Sequence, residues 1–141
     1  MSIKAFVSEY TYLSNVLINT VTVNYNNVEI NENALWDTGA TRTCISNEVV
    51  KSLNLIPIGK IDMIGSSGYF TSDTFLLNIT LPNDISVANI VVQETEIGAA
   101  GIGLLIGMDI ITLGDFSVSN YNGKTVFTFR TPSQERIDYI K

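Results

Sequence analysis

Apolar residues in this chain come in short runs rich in Val, Ile, Thr, Phe and Tyr, cut every few positions by Asn, Gly or Asp. β-Branched and aromatic side chains suit a pleated, half-buried surface, and the interrupting residues turn the chain, so the fold is expected to be mostly β. VLINTVTVNYNNVEI, residues 16–30, reads as two strands around an Asn26-Asn27 turn, with Val21, Val23 and Tyr25 on one face. A third strand, Ala34-Leu35-Trp36, runs into Asp37-Thr38-Gly39-Ala40, where glycine permits a sharp turn and leaves the acid at a strand end. Ser46 is a candidate N-cap for a short helix whose Val49, Val50 and Leu53 share a face. From Lys60 to Leu81 the pattern is a hairpin with Ser66-Ser67 at its tip between Gly65 and Gly68. A strand from Ile85 to Gln93 follows, then the apolar Leu104-Leu105-Ile106-Gly107 run and a short helix from Asp109 to Leu113, with Asp109 as its N-cap and Gly114 at its end. Last, Phe116–Tyr121 and Lys124–Phe129 flank Asn122-Gly123, a strong hairpin signal; the polar tail after Pro132 is expected to be frayed or docked on a partner.

The 141 residues fit one domain, with no linker, repeat or low-complexity tract to divide them. A formal net charge of −6 has the wrong sign for neutralising a phosphate backbone, so no nucleic acid partner is expected. The chain has no histidine and a single cysteine, Cys44, which excludes Ser-His-Asp and Cys-His catalysis, the usual zinc sites and an internal disulfide. No metal or cofactor is expected, and any hydrolysis must run on carboxylates. The N-terminal MSIKAFVSEYTYLS lacks the apolar core of a signal peptide, and the longest apolar stretch, Ile97 to Ile111, is too short to span a bilayer and contains Asp109. The expectation is a cytoplasmic protein with no membrane association.

Asp37-Thr38-Gly39 is the one constellation with a chemical reading that these exclusions leave open, although an Asp at this point also fits as a turn cap. Its surroundings add to it. ALWDTGA, Ala34 to Ala40, is followed by the glycine-flanked hairpin MIGSSGYF, Met63 to Phe70, and then by Leu105-Ile106-Gly107. These three elements, in this order over residues 16–120, resemble the retropepsin family of aspartic proteases, the retroviral enzymes and their cellular and bacterial relatives.

The resemblance implies a small closed β-barrel of the acid-protease type with one or two short helices. It makes Asp37 the catalytic acid in a loop with Thr38, Gly39 and Ala40, and Gly65, Ser66, Ser67, Gly68 and Tyr69 a substrate-binding flap. Leu105-Ile106-Gly107 then packs behind the active-site loop. Aspartic proteases use two carboxylates that share one proton, since like charges about 3 Å apart cannot both ionise. One activates water while the protonated partner donates to the scissile carbonyl. This chain offers one Asp-Thr-Gly, so a two-fold axis must bring Asp37 of a second copy to the first. The expected protein is a homodimeric aspartic endopeptidase acting on extended polypeptide, with Thr38 buttressing its counterpart across the axis. Gly39 lets the loop backbone approach the substrate, and the flap clamps the peptide backbone. The rival is a retropepsin-fold module that binds peptide segments without cleaving them. A third option is a small structural barrel in which Asp37 only turns the chain.

The sequence departs from the family at three places. Ser66 and Ser67 stand where retroviral flaps are more apolar and glycine-rich; residues 1–15 have no counterpart and either add a strand or cover the core; and an extra hairpin, 116–129, with a tail from 132 to 141 follows the core. The termini of retroviral enzymes build the dimer sheet, so this hairpin either replaces that interface or blocks it. Among other side chains, Cys44 reads as a small buried residue and Trp36 as core or pocket lining. Arg42 reads as solvated, paired with an acid or in contact with substrate, and Tyr69 either reaches substrate or stabilises its hairpin.

Overall fold

The first hairpin follows from its turn. Asn26 and Asn27 both take positive φ (49° and 63°), the condition for a two-residue type I′ connection, and Tyr25 faces Val28 across it. Strand β1 (Lys4–Glu9) precedes this hairpin, which comprises β2 (Ile18–Tyr25) and β3 (Val28–Trp36). The structure, a computed structural model, describes residues 2–65 and 68–140. Ala34–Trp36 is not a separate third strand but the end of β3, which runs unbroken through Asn31, Glu32 and Asn33. Asn31 and Asn33 are accommodated on the outer face, where Thr22 Oγ1 donates to Asn31 Oδ1 at 2.9 Å, while Glu32 between them is half-buried opposite Val21.

After Asp37 come β4 (Cys44–Ile45) and helix α1 (Asn47–Leu53), capped as expected by Ser46, whose hydroxyl accepts from Val49 N–H. Val49 and Leu53 turn into the core. Strands β5 (Gly59–Gly65) and β6 (Gly68–Leu81) form the long hairpin, and β7 (Ile85–Glu94) returns along β6. Strand β8 (Leu104–Ile106) leads into α2 (Met108–Ile111), which begins one residue before the expected Asp109. Its N-cap is Gly107; Asp109 lies in the first turn with its carboxylate engaged elsewhere. Strands β9 (Asp115–Ser119) and β10 (Val126–Thr131) complete the chain.

Six strands close into a barrel in the order β2-β3-β8-β4-β7-β6, sealed where Thr22, Val23 and Asn24 of β2 pair with Thr80, Ile79 and Asn78 of β6. Closure removes the sheet edges. Strand β5 extends beyond the barrel on β6 alone. Val21, Val23, Ala34, Ile45, Phe75, Ile79, Leu104 and Ile106 fill the interior. Strand order β1-β10-β9 makes a second sheet, so the N-terminal segment adds a strand, with Lys4 opposite Thr131. Phe6, Phe127 and Phe129 from this sheet pack on Trp36 with centroid separations of 5.4–6.1 Å, joining both sheets in one apolar cluster. Asn122-Gly123 lies in a longer connection than the tight hairpin expected: the β9–β10 ladder closes at Ser119 opposite Val126. The cause is Thr125, fully buried and committed to the N-terminal segment: its N–H donates to Tyr12 O, its carbonyl accepts from Tyr10 N–H, and its hydroxyl oxygen accepts from Ser14 N–H. No helix among the described residues is long and apolar enough to cross a membrane.

Candidate active site

Asp37 is positioned by the barrel wall. Strand β3 pairs in parallel with β8, placing Trp36 opposite Ile106, and Asp37 N–H then donates to Ile106 O at 2.9 Å. Trp36 is held on both sides, stacked on Phe116 (5.5 Å, 4° between planes) and donating from Nε1 to Asn19 Oδ1 at 2.9 Å. The backbone turns over the next four residues, with Ala40 N–H donating to Asp37 O at 3.1 Å and Gly39 N–H donating to the carboxylate Oδ1 at 2.8 Å. A Cβ at Gly39 would stand 3.2 Å from that same oxygen, so glycine leaves the carboxylate room. Asp37 is half-buried, Thr38 and Gly39 exposed, and Ala40 half-buried.

Behind this loop is a link that sequence reasoning missed. Thr43 is fully buried; its N–H donates to Asp109 Oδ2 at 2.9 Å and its hydroxyl to Asp109 Oδ1 at 2.7 Å, while the same hydroxyl oxygen accepts from Gly107 N–H at 3.1 Å. Met108 N–H donates to Ala40 O at 2.8 Å. A side chain at Gly107 is impossible without movement, since its Cβ would lie 2.6 Å from the Arg42 carbonyl and 2.9 Å from Ala40 O. Gly107 and Asp109 thus clamp the outgoing arm of the Asp37 loop to α2, which gives physical content to the expectation that the Leu105-Ile106-Gly107 element packs behind it. A signal existed in the sequence: a threonine amid residues with strand character, when buried, must find a polar partner.

Asp37, Gly39, Ala40, Thr41, Arg42 and Cys44 line one side of a cleft of about 640 Å³, with Gln93, Thr95 and Leu105; Ile61, Met63 and Ile64 of β5 line the other. The expected flap is therefore a hairpin beside Asp37, in which Met63 faces Phe70, Ile64 faces Tyr69 and Gly65 faces Gly68. Ser66 and Ser67 lie outside the described residues. The cleft wall comes from the β5 strand, whereas Tyr69 is 83% exposed and is not among the lining residues. Arg42 is exposed at the cleft and makes no ion pair among the described residues. Cys44 is buried as expected; burial pushes its thiol pKa up, Asp109 and Asp37 add to the rise, and a hydrogen bond from Gln93 Nε2 at 3.4 Å opposes it. Among the described residues, Asp37 is the only carboxylic acid lining the cleft.

The chain matches the family model described as aspartyl protease over residues 21–110. Its backbone is similar to that of a retropepsin-like aspartic protease from Rickettsia conorii, with a TM-score of 0.55 at 15% identity, covering 92% of this chain and 95% of that one. It is also similar to the protease of a simian foamy virus, with a TM-score of 0.48 at 17% identity over 66% of this chain and 89% of that one. A sequence search of curated proteins finds no match. With the family match spanning well over half its length and taking in both the Asp-Thr-Gly loop and the Gly107 clamp, the chain belongs to the aspartyl proteases, on the retropepsin-like fold.

Proposed function

We propose that this protein is a homodimeric aspartic endopeptidase in which Asp37 of each chain supplies one carboxylate of a shared catalytic dyad. One observation carries the reading: the cleft beside the β5–β6 hairpin contains a single carboxylic acid among the described residues, its Oδ1 held by Gly39 N–H. Proton-sharing hydrolysis needs two such groups. Asp109 is not the second, because both its oxygens are engaged by Thr43 behind the loop. A two-fold axis beside Asp37 supplies the partner with no further sequence.

In this dyad one carboxylate takes a proton from water as the oxygen attacks the scissile carbonyl carbon. The protonated partner gives its proton to the carbonyl oxygen. Collapse of the tetrahedral species breaks the C–N bond, and the amine leaves with a proton from the dyad. Thr38 from each chain braces the paired loops, and Gly39 keeps the backbone low. The flap, Gly65 to Tyr69, closes over an extended peptide whose apolar side chains meet Ile61, Met63 and Ile64. Activity falls at high pH, when both acids ionise, and at low pH, when both are protonated.

The test is incubation with an unfolded protein substrate from acidic to neutral pH, beside Asp37→Asn and a general aspartic-protease inhibitor. Cleavage that the variant and the inhibitor both abolish supports the reading. A folded protein that cleaves nothing at any pH replaces it with a peptide-binding module on the same fold.

A further inference from the structure

We infer that Arg42 makes the cleft selective for polypeptides that carry an aspartate or glutamate side chain close to the bond to be cut. The inference rests on the protease reading above and adds a substrate class to it. Among the described residues, Arg42 and Asp37 are the only charged side chains lining the cleft, which is otherwise walled by small, neutral or apolar residues. Arg42 is exposed there, and its guanidinium has no ion pair among the described residues; the hydrogen bond at this residue is to its carbonyl, from Cys44 Sγ at 3.4 Å. The nearby acids are committed or turned away. Asp37 Oδ1 is held by Gly39 N–H, and both Asp109 oxygens are engaged by Thr43 behind the loop. Asp62 lies between Ile61 and Met63 on β5, exposed and not among the lining residues. Glu94 and Glu96 line a neighbouring groove that shares only Thr95 with the cleft.

Two features separate this arginine from an ordinary solvated one. Its base is fixed on both sides: Met108 N–H donates to Ala40 O at 2.8 Å, and Thr43 N–H donates to Asp109 Oδ2 at 2.9 Å. The Arg42 carbonyl itself packs against Gly107, where a Cβ would stand 2.6 Å from it. A ligand therefore has only the side chain to order, not the loop. The second feature is the surroundings. Ile61, Met63, Ile64 and Leu105 share the cleft, so a peptide that fills it displaces water from the guanidinium, and no protein acid replaces that hydration. A carboxylate on the peptide does so with two parallel N–H···O bonds, the geometry a guanidinium matches best. A neutral side chain leaves the cation stranded, and a basic one adds repulsion. A cleft of about 640 Å³ is roughly 11 Å across if taken as a sphere, the length of about three extended residues, so the selected acid falls within about three residues of the scissile bond. The two-fold axis of the dyad carries a second Arg42 to the other side of that bond, so an acid is favoured on either side.

The experiment digests pools of decapeptides, random except for one position fixed as Glu, Gln or Lys, and locates the cut bonds by mass spectrometry. Wild type is set beside Arg42→Gln and Arg42→Glu, and comparing pools within each protein cancels any general change in activity. Wild type should cut near Glu at least about tenfold faster than near Gln. Arg42→Gln should lose that difference, and Arg42→Glu should move the preference to Lys. The wild-type preference should fade as pH falls through the ordinary glutamate pKa of about 4.3, where the substrate carboxylate takes up a proton. Equal cutting of the Glu and Gln pools above about pH 5 overturns the inference and leaves the protease reading intact, as does a preference that survives in Arg42→Gln. The same pools are passed over immobilised Asp37→Asn protein at neutral pH, with and without Arg42→Gln, and this capture decides where cleavage is confined to lower pH or does not occur. Retention of the Glu pool over the Gln pool that Arg42→Gln abolishes upholds the selection, and without cleavage at any pH it does so while removing the protease reading. Equal retention of the two pools overturns the inference, and if nothing is cleaved either, both readings fall.

Discussion

Thr43→Val isolates the link between the Asp37 loop and α2. Valine nearly preserves shape, so no cavity opens, but three things change at a fully buried position. The donor to Asp109 Oδ1 at 2.7 Å is lost, a hydrogen bond to a charged group worth about 1.5–3 kcal/mol. Gly107 N–H loses its acceptor at 3.1 Å and, being buried, costs about 1–3 kcal/mol when left unpaired. Asp109 keeps Thr43 N–H and Ile110 N–H, and the added methyl returns part of the loss. The net expectation is about 2–4 kcal/mol, which for a chain of this size lowers Tm by roughly 6–15 °C. Thr43→Ser is the control: it keeps the hydroxyl and gives up one buried methyl, about 1 kcal/mol. Urea and thermal unfolding of the two variants measure the difference. If Thr43→Val is no less stable than Thr43→Ser, the hydroxyl does not hold the loop, and the account of the clamp is wrong.

Three further outcomes follow from the same geometry. Gly107→Ala drives a methyl group into the Arg42 and Ala40 carbonyls, so it destabilises by about 2–4 kcal/mol and displaces the Asp37 loop; urea unfolding and any peptide cleavage should both show the loss. The Asp115 carboxyl is lowered to about 2, chiefly by the Ser133 hydroxyl, then by Gln134 N–H and Arg130. A depressed acid stabilises the fold fully above its unfolded pKa of about 4 and loses that contribution as pH falls toward 2, so the stability gap between wild type and Asp115→Asn narrows across that window. Cys44, buried and with its thiol pushed up, should resist thiol reagents at neutral pH until denaturant opens the barrel; rapid modification of the native protein would contradict its placement.

Local chemistry was legible in the sequence and long-range commitment was not. The Asn26-Asn27 turn and the Ser46 cap depend on residues within four positions of one another, and their side-chain preferences suffice. The order of loop, hairpin and apolar-glycine element was readable because it is linear. Asp109 was misread because a cap is the local use of an acid beside a helix, whereas its real partner, Thr43, is 66 residues away. The break expected before Ala34 came from Asn31, Glu32 and Asn33, which lower strand propensity; Asn31 and Asn33 are on the barrel exterior opposite Thr22 and Thr20, while Glu32 is half-buried opposite Val21. Asn122-Gly123 carries the strongest tight-turn signal, but Thr125 is claimed by Tyr10, Tyr12 and Ser14, which draws the start of β10 away from β9. For Asp109 and for Asn122-Gly123, a buried threonine satisfied by distant groups overrode a local preference.

The central claim is that one active site takes Asp37 from two chains, and subunit mixing tests it most directly. A fixed amount of wild-type chain is refolded with an equal amount of Asp37→Asn chain, and its cleavage of an unfolded substrate is compared with wild type refolded alone. Random pairing leaves about a quarter of the dimers with two Asp37 residues, so the account predicts activity of about half the wild-type control. Activity equal to the control would mean that each chain cleaves on its own, and would contradict the shared dyad.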